Sequence, residues 1–121
     1  IDAPCSASGL IQKKPEMLVQ NKNINELKNK QKLMLERASK LLKEGGYLIY
    51  CVCSIIFSEG EEQIQIFLQN FKNFSPINCF SPIKSFGMIN NNLSQFFVTP
   101  DFISQNGGID GFFIACLKKN Y

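Results

Sequence analysis

An α/β fold is predicted by three features of this 121-residue sequence: a long amphipathic helix, a Gly-Gly step into a continuous apolar run, and a second amphipathic helix behind it. Helix, strand and helix in this order belong to a sheet whose strands are covered by the helices that connect them. The first helix is read from about Ile24 to Lys43, where Leu27, Met34, Leu35, Ala38, Leu41 and Leu42 fall on one side. That spacing buries one stripe and leaves Lys28, Lys30, Lys32, Glu36, Arg37 and Lys40 mostly elsewhere. Gly45 and Gly46 then supply a left-handed helix stop. YLIYCVC, residues 47 to 53, is short, aromatic and β-branched, which predicts a buried strand. Ser58 and Glu61 are spaced as a capping box. Ile64, Phe67, Leu68 and Phe71 then mark the second helix at i, i+3, i+4 and i+7.

The flanking segments are read in the same way. IDAPCSASG, residues 1 to 9, reads as the end of a strand entering a loop, and residues 10 to 23 as an exposed connection. Ile77 to Phe80 and Phe96 to Thr99 are candidate short strands, with Asn90, Asn91 and Asn92 at a loop tip between them. GIDGFFIACLKK, residues 108 to 119, predicts a turn and a strong closing strand. Gly111 ahead of Phe112 and Phe113 suits the tight turn.

Composition narrows the chemistry. The chain contains no His, so the commonest general base and the commonest zinc ligand are both missing. Five Cys at positions 5, 51, 53, 79 and 116, with no second Cys pair at finger spacing, suit reduced cytoplasmic thiols better than a disulfide framework or a metal site. A net charge of +3 is compatible with nucleic acid without arguing for it. No apolar run approaches the ~20 residues of a membrane span.

Cys5 follows the expected strand end in Asp-Ala-Pro-Cys-Ser, and Cys53 ends the predicted strand in Val-Cys-Ser. In open α/β sheets the ligand crevice lies at the carboxyl ends of strands. Two thiols and the Asp2 carboxylate are thus expected on one rim, an arrangement suited to nucleophilic thiol chemistry. From the residues alone, a Cys at a strand end is more often a small core residue. An acid such as Asp2 often does no more than cap the next turn.

DAPCSASG, KKPE, QKLMLERASKLLKEGGYLIYCVCSI and DGFFIACLKK, in this order, resemble the later motifs of the Nol/Nop/Sun family of RNA cytosine-5 methyltransferases, which includes the RsmB-type enzymes. The resemblance implies the C-terminal half of a Rossmann-like, class I methyltransferase fold with a final antiparallel strand. It implies S-adenosyl-L-methionine as cofactor and RNA as partner, ribosomal RNA ahead of transfer RNA. By the same resemblance, Cys53 attacks carbon 6 of the target cytosine. Cys5 assists release of the RNA from the covalent adduct. Asp2 binds the polar edge of the cytosine and lines the cofactor site. Covalent addition suits a pyrimidine, which is a poor nucleophile until a thiolate adds to it. A base within a stack must leave it to meet the thiol. Lys13 and Lys14 are candidates for RNA phosphate contact.

The sequence departs from the family pattern in single residues and, more largely, in an absence. Val52 stands where Thr is usual before the nucleophile. Of the Pro-Glu-Glu-Asn that tends to follow, the chain reads Phe57-Ser58-Glu59-Gly60, so Glu59 alone survives. The Gly-rich loop and the acid of a Rossmann-like cofactor site find no match in residues 1 to 121, nor does the upstream Lys of the family's catalytic core. Residues 1–121 are accordingly expected to be a partial methyltransferase catalytic domain whose missing N-terminal half supplies the first strands. The rival reading is a non-catalytic remnant, or an RNA-binding fragment, of such an enzyme.

Overall fold

The computed structural model describes residues 1–80, 88–90, 94–102 and 104–121. Helix α1 spans Ile24–Leu41, and Asn23 caps it by accepting the Glu26 N–H at 3.2 Å. Leu35 is buried at its centre, with Met34, Ala38 and Leu42 packed against the same core. Leu41 corrects the expected stripe, because it is 85% exposed. The helix stops there, and Leu42 turns to an extended conformation (φ −74°, ψ 134°) and takes the inward place instead. Gly45 is left-handed (φ 76°), but it lies beyond the helix cap and forms the turn into the next strand. Its N–H donates to Lys119 O at 2.8 Å.

Strand β1 spans Tyr47–Val52, so Cys53 lies just past its carboxyl end. Leu48, Tyr50 and Val52 are buried, whereas Tyr47 and Ile49 are exposed. The apolar run is therefore covered on one face, not two. Helix α2 spans Glu61–Asn70 and follows a 3-10 turn at Phe57–Glu59. The expected capping box does not form: Gly60 is the N-cap and no side chain caps the helix. A Cβ on Gly60 would lie 2.9 Å from Phe113 Cγ, so close packing of that ring selects Gly at the turn. The 3-10 turn also directs Glu59 inward, which delays the helix start.

The remaining strands are β2 Phe74–Pro76, β3 Met88–Asn90, β4 Gln95–Val98 and β5 Phe112–Lys119. The long β5 is central. β1 pairs along one edge with Tyr47 opposite Lys118, while β4 and β2 pair in succession along the other. β3 then pairs with β4, and all of these pairings are antiparallel. Residues 1–3 add a parallel bridge to β1, with Asp2 opposite Cys51. Ile77 to Phe80 is not a strand. Phe74–Pro76 takes that slot, and Pro76, which has no N–H, ends it. β4 lies one residue earlier than expected, and β3 was not predicted. Asn90 belongs to β3, while the rest of the expected Asn loop tip lies outside the described residues.

The core lies between the sheet and the two helices. Leu48, Tyr50, Val52, Phe113, Ala115 and Leu117 meet Leu35 of α1 and Ile64 and Phe67 of α2. Phe67 stacks on Phe71 with ring centroids 4.6 Å apart and meets Phe74 edge-on at 5.0 Å. Phe80, Phe96, Val98 and Cys116 form a second cluster. Among the described residues no helix is long and apolar enough to cross a membrane.

Candidate active site

Two chain segments converge where β1 ends. Residues 1–3 run beside β1, held by Cys51 N–H to Ile1 O at 2.8 Å and Ala3 N–H to Cys51 O at 3.0 Å. This pairing carries Cys5 to the carboxyl end of β1, where its Sγ lies 3.3 Å from Cys53 Sγ. Both thiols are half-buried, and all five Cys are free.

The loop after Cys5 turns sharply. Ala7 adopts a left-handed conformation (φ 58°, ψ 27°), which an L residue adopts at a cost of ~1–2 kcal/mol. The turn lets Gly9 N–H donate to Cys53 O at 3.1 Å, tying one cysteine loop to the other. Gly111 N–H in turn donates to Gly9 O at 2.7 Å. Gly9 and Gly111 touch backbone to backbone, since a Cβ on Gly9 would fall 1.8 Å from Gly111 O.

Burial pushes the Cys5 thiol up to about 12, with smaller upward contributions from Cys53 and Glu59 against a backbone hydrogen bond at Ala7 that lowers it. Cys5 therefore holds its proton at neutral pH. Its Sγ and Cys53 Sγ are within hydrogen-bond distance of each other at 3.3 Å, and either can be the donor.

Asp2 is exposed. It shares an open, mostly apolar hollow with Cys51, Val52, Cys53, Phe112 and Ile114. The structure thus brings Asp2, Cys5 and Cys53 to one rim. Lys13 is not there. Its Nζ is paired with Asp110 Oδ2 at 2.9 Å, beside a separate hollow lined by Gln12, Gly107 and Gly108. Lys14 is exposed and precedes the 3-10 turn Pro15–Leu18. Val52 is 1% exposed within the core, a setting that suits a methyl group better than a hydroxyl. No group of three or more His, Cys, Asp or Glu placed to hold a metal occurs among the described residues.

Sequence reasoning missed the polar knot behind the thiols. Glu59 is fully buried. It accepts hydrogen bonds from Ser6 N–H, Ser6 Oγ, Ser54 Oγ and Gln31 Nε2. Tyr50 Oη donates to its backbone carbonyl at 2.6 Å. The available signal was the dipeptide Cys-Ser, present at both 5–6 and 53–54, together with a Gln placed inside the apolar stripe of α1.

An α/β sheet closed by antiparallel strands has the architecture of part of a Rossmann-like methyltransferase fold. The family model for the 16S rRNA methyltransferase RsmB/F matches residues 1–118, and the chain belongs to that family. It is 44% identical over 70 residues to the ribosomal RNA small subunit methyltransferase B of Shewanella oneidensis, covering 56% of this chain and 16% of that protein. Identity to the protein of the same name from Yersinia pseudotuberculosis is 42% over 71 residues, covering 57% of this chain and 17% of that one. The chain therefore spans about a sixth of the length of these curated relatives. Among solved structures, PH0851 superposes with a TM-score of 0.80 at 33% identity, over 98% of this chain and 25% of its own. NSun6 from Pyrococcus horikoshii, solved with SFG, shares the fold with a TM-score of 0.73 at 23% identity, over all of this chain and 29% of its own.

Proposed function

We propose that this chain is the C-terminal part of a catalytic domain that methylates carbon 5 of a cytosine in RNA, ribosomal RNA ahead of transfer RNA, through a covalent Cys53–cytosine adduct. The 3.3 Å approach of Cys5 Sγ to Cys53 Sγ at the end of β1 carries this reading. A lone structural Cys needs no second thiol beside it at the rim of an open hollow.

In this reading Cys53 Sγ bonds to carbon 6, and carbon 5 becomes electron-rich. S-adenosylmethionine, when bound, supplies the electrophilic methyl group that carbon 5 accepts. Departure of Cys53 as the thiolate, with the carbon-5 proton passing to solvent water in the open hollow, restores the aromatic ring. Cys5, holding its own proton, donates a hydrogen bond to the departing sulfur and eases release of the RNA. Asp2 faces the polar edge of the base and stabilises charge that develops on the ring. The residues present fit the cofactor in part. Asp2 and the apolar floor of Cys51, Val52, Phe112 and Ile114 suit the region around the transferred methyl group. The loop that would cradle the rest of the cofactor falls to chain outside residues 1–121. Lys13 and Lys14 keep a supporting role toward RNA phosphate, with Lys13 released from Asp110 on binding.

The test is to graft residues 1–118 into the Shewanella oneidensis relative in place of the matching segment and trap the product on RNA carrying 5-fluorocytosine. A denaturation-resistant protein–RNA adduct is expected in the graft and is lost in Cys53→Ser. With ordinary cytosine RNA, Cys5→Ala accumulates the adduct. An adduct that survives Cys53→Ser removes the nucleophile assignment, and no adduct in the parent graft favours the non-catalytic remnant.

A further inference from the structure

Glu59 is 0% exposed, and its carboxylate closes a circuit between the two cysteine loops. Oε1 accepts Ser6 N–H at 2.8 Å and Gln31 Nε2 at 3.1 Å, while Oε2 accepts Ser6 Oγ at 2.6 Å and Ser54 Oγ at 2.5 Å. A carboxylate offers about four acceptor sites, and here donors meet all of them. Ser6 follows Cys5 directly, and Ser54 follows Cys53. Each nucleophilic loop is thus fastened to the same two oxygens one residue away from its sulfur.

Neighbouring groups are arranged around that carboxylate. Gln31 Nε2 also donates to Pro4 O at 3.0 Å, so it holds the loop on the other side of Cys5. Its own Oε1 is buried with no hydrogen-bond partner among the described residues. An unmet buried acceptor is costly, so the amide's orientation is imposed by what its NH2 must reach. Lys22 Nζ grips Ser6 O at 2.8 Å from outside the loop. Stability alone does not call for such a knot, because apolar residues of similar volume commonly replace buried polar groups without loss. A knot of this kind fixes direction and distance.

We infer that Glu59 is a positioning residue: by clamping Ser6 and Ser54 on one carboxylate it holds Cys5 and Cys53 at sulfur contact distance and sets the alignment of the thiol pair. Only the consequence for methylation rests on the function proposed above. The clamp itself is a property of this chain.

The clamp is tested with diamide, which takes up the two thiol hydrogens as the disulfide forms. The rate of Cys5–Cys53 bond formation in the 121-residue chain is read by alkylation and peptide mapping, against Cys79–Cys116 as an internal reference. Cys116 belongs to the second cluster, and the exposed Cys79 interacts with it. In Glu59→Gln, which keeps the length of the side chain but loses half of its acceptors, the Cys5–Cys53 rate relative to the reference falls about tenfold or more, the scale of a small misplacement of reacting groups. Loss of global stability would move both pairs together. In the graft described above, the same variant lowers kcat while KM for RNA holds. An unchanged ratio in a folded Glu59→Gln chain overturns the clamp. Should that variant fail to fold, the Ser6→Ala, Ser54→Ala double variant replaces it, and the same ratio decides. A parent graft that forms no RNA adduct removes the reaction and leaves the ratio to judge the clamp.

Discussion

Replacing Gly9 with Ala is expected to be among the most damaging single-methyl changes in this chain. The new Cβ would sit 1.8 Å from Gly111 O, 2.5 Å from Gly111 C and 2.8 Å from Gly111 Cα. These are backbone atoms, so no rotamer change relieves the overlap, and the loop must separate from the start of β5. Overpacking of this kind costs about 1–3 kcal/mol. Separation also stretches two hydrogen bonds, Gly9 N–H to Cys53 O and Gly111 N–H to Gly9 O. Each contributes about 0.5–1.5 kcal/mol net, which brings the expected loss to roughly 2–6 kcal/mol. Urea unfolding followed by circular dichroism reads this as a lower midpoint at unchanged slope. Gly107→Ala is the control: its φ of 93° makes any side chain strained, yet no atom of the described residues lies within 4 Å of the added Cβ. It should lose only the backbone penalty, about 1–2 kcal/mol. A Gly9→Ala loss no larger than that of Gly107→Ala would refute the claim that the two backbones touch.

Two further outcomes follow from buried polar groups. Burial pushes Cys5 up to about 12 and raises Tyr50, so the folded chain keeps protons that the unfolded chain releases from about the ordinary thiol value of 9.0 upward. Stability conferred below pH 9 is therefore lost as pH rises toward 12, and Cys5→Ser should flatten that decline in a series of melting temperatures. A decline equally steep in the variant would show that Cys5 does not contribute to it. Lys119 Nζ donates to Ser39 O and Leu42 O, both at 2.8 Å, at the carboxyl end of α1. Lys119→Met is expected to cost about 1–3 kcal/mol and to speed amide exchange in the last turn of α1, whereas a change below about 0.5 kcal/mol would make those contacts incidental.

Strong local patterns were legible in the sequence. Ile64 and Phe67 sit where their helical spacing places them, and β5 forms from the run that begins at Phe112. Patterns failed where a long-range partner decides the outcome. Leu41 fits the apolar stripe by spacing, but only the end of α1 shows that it points to solvent. Gln31 interrupts the same stripe with a polar amide. It is fully buried because Glu59 and the Pro4 carbonyl, both distant in sequence, need its amide. The short strands β2 and β3 exist through pairing with β5 and β4, which no local propensity encodes. Of the site, the two thiols and Asp2 were read from motifs that carry their own neighbours. Glu59 was visible as a matching letter, but its burial and its four donors were not.

The central place of β5 also dictates the order in which the molecule can be assembled. β1 and β2 border it on opposite edges and have no pairing with each other, so neither gains its ladder until residues 112–119 have left the ribosome. Before then the helices and the early loops have no sheet to pack upon, and the exposed edge of β1 is free to pair with the wrong chain. Closing β1 onto β5 joins Tyr47 to Lys118 across most of the chain, a step that topology makes slow. Synthesis halted short of β5 would thus yield a chain fit for degradation, its two cysteine loops joined through residues 1–3 and β1 but with no sheet behind them.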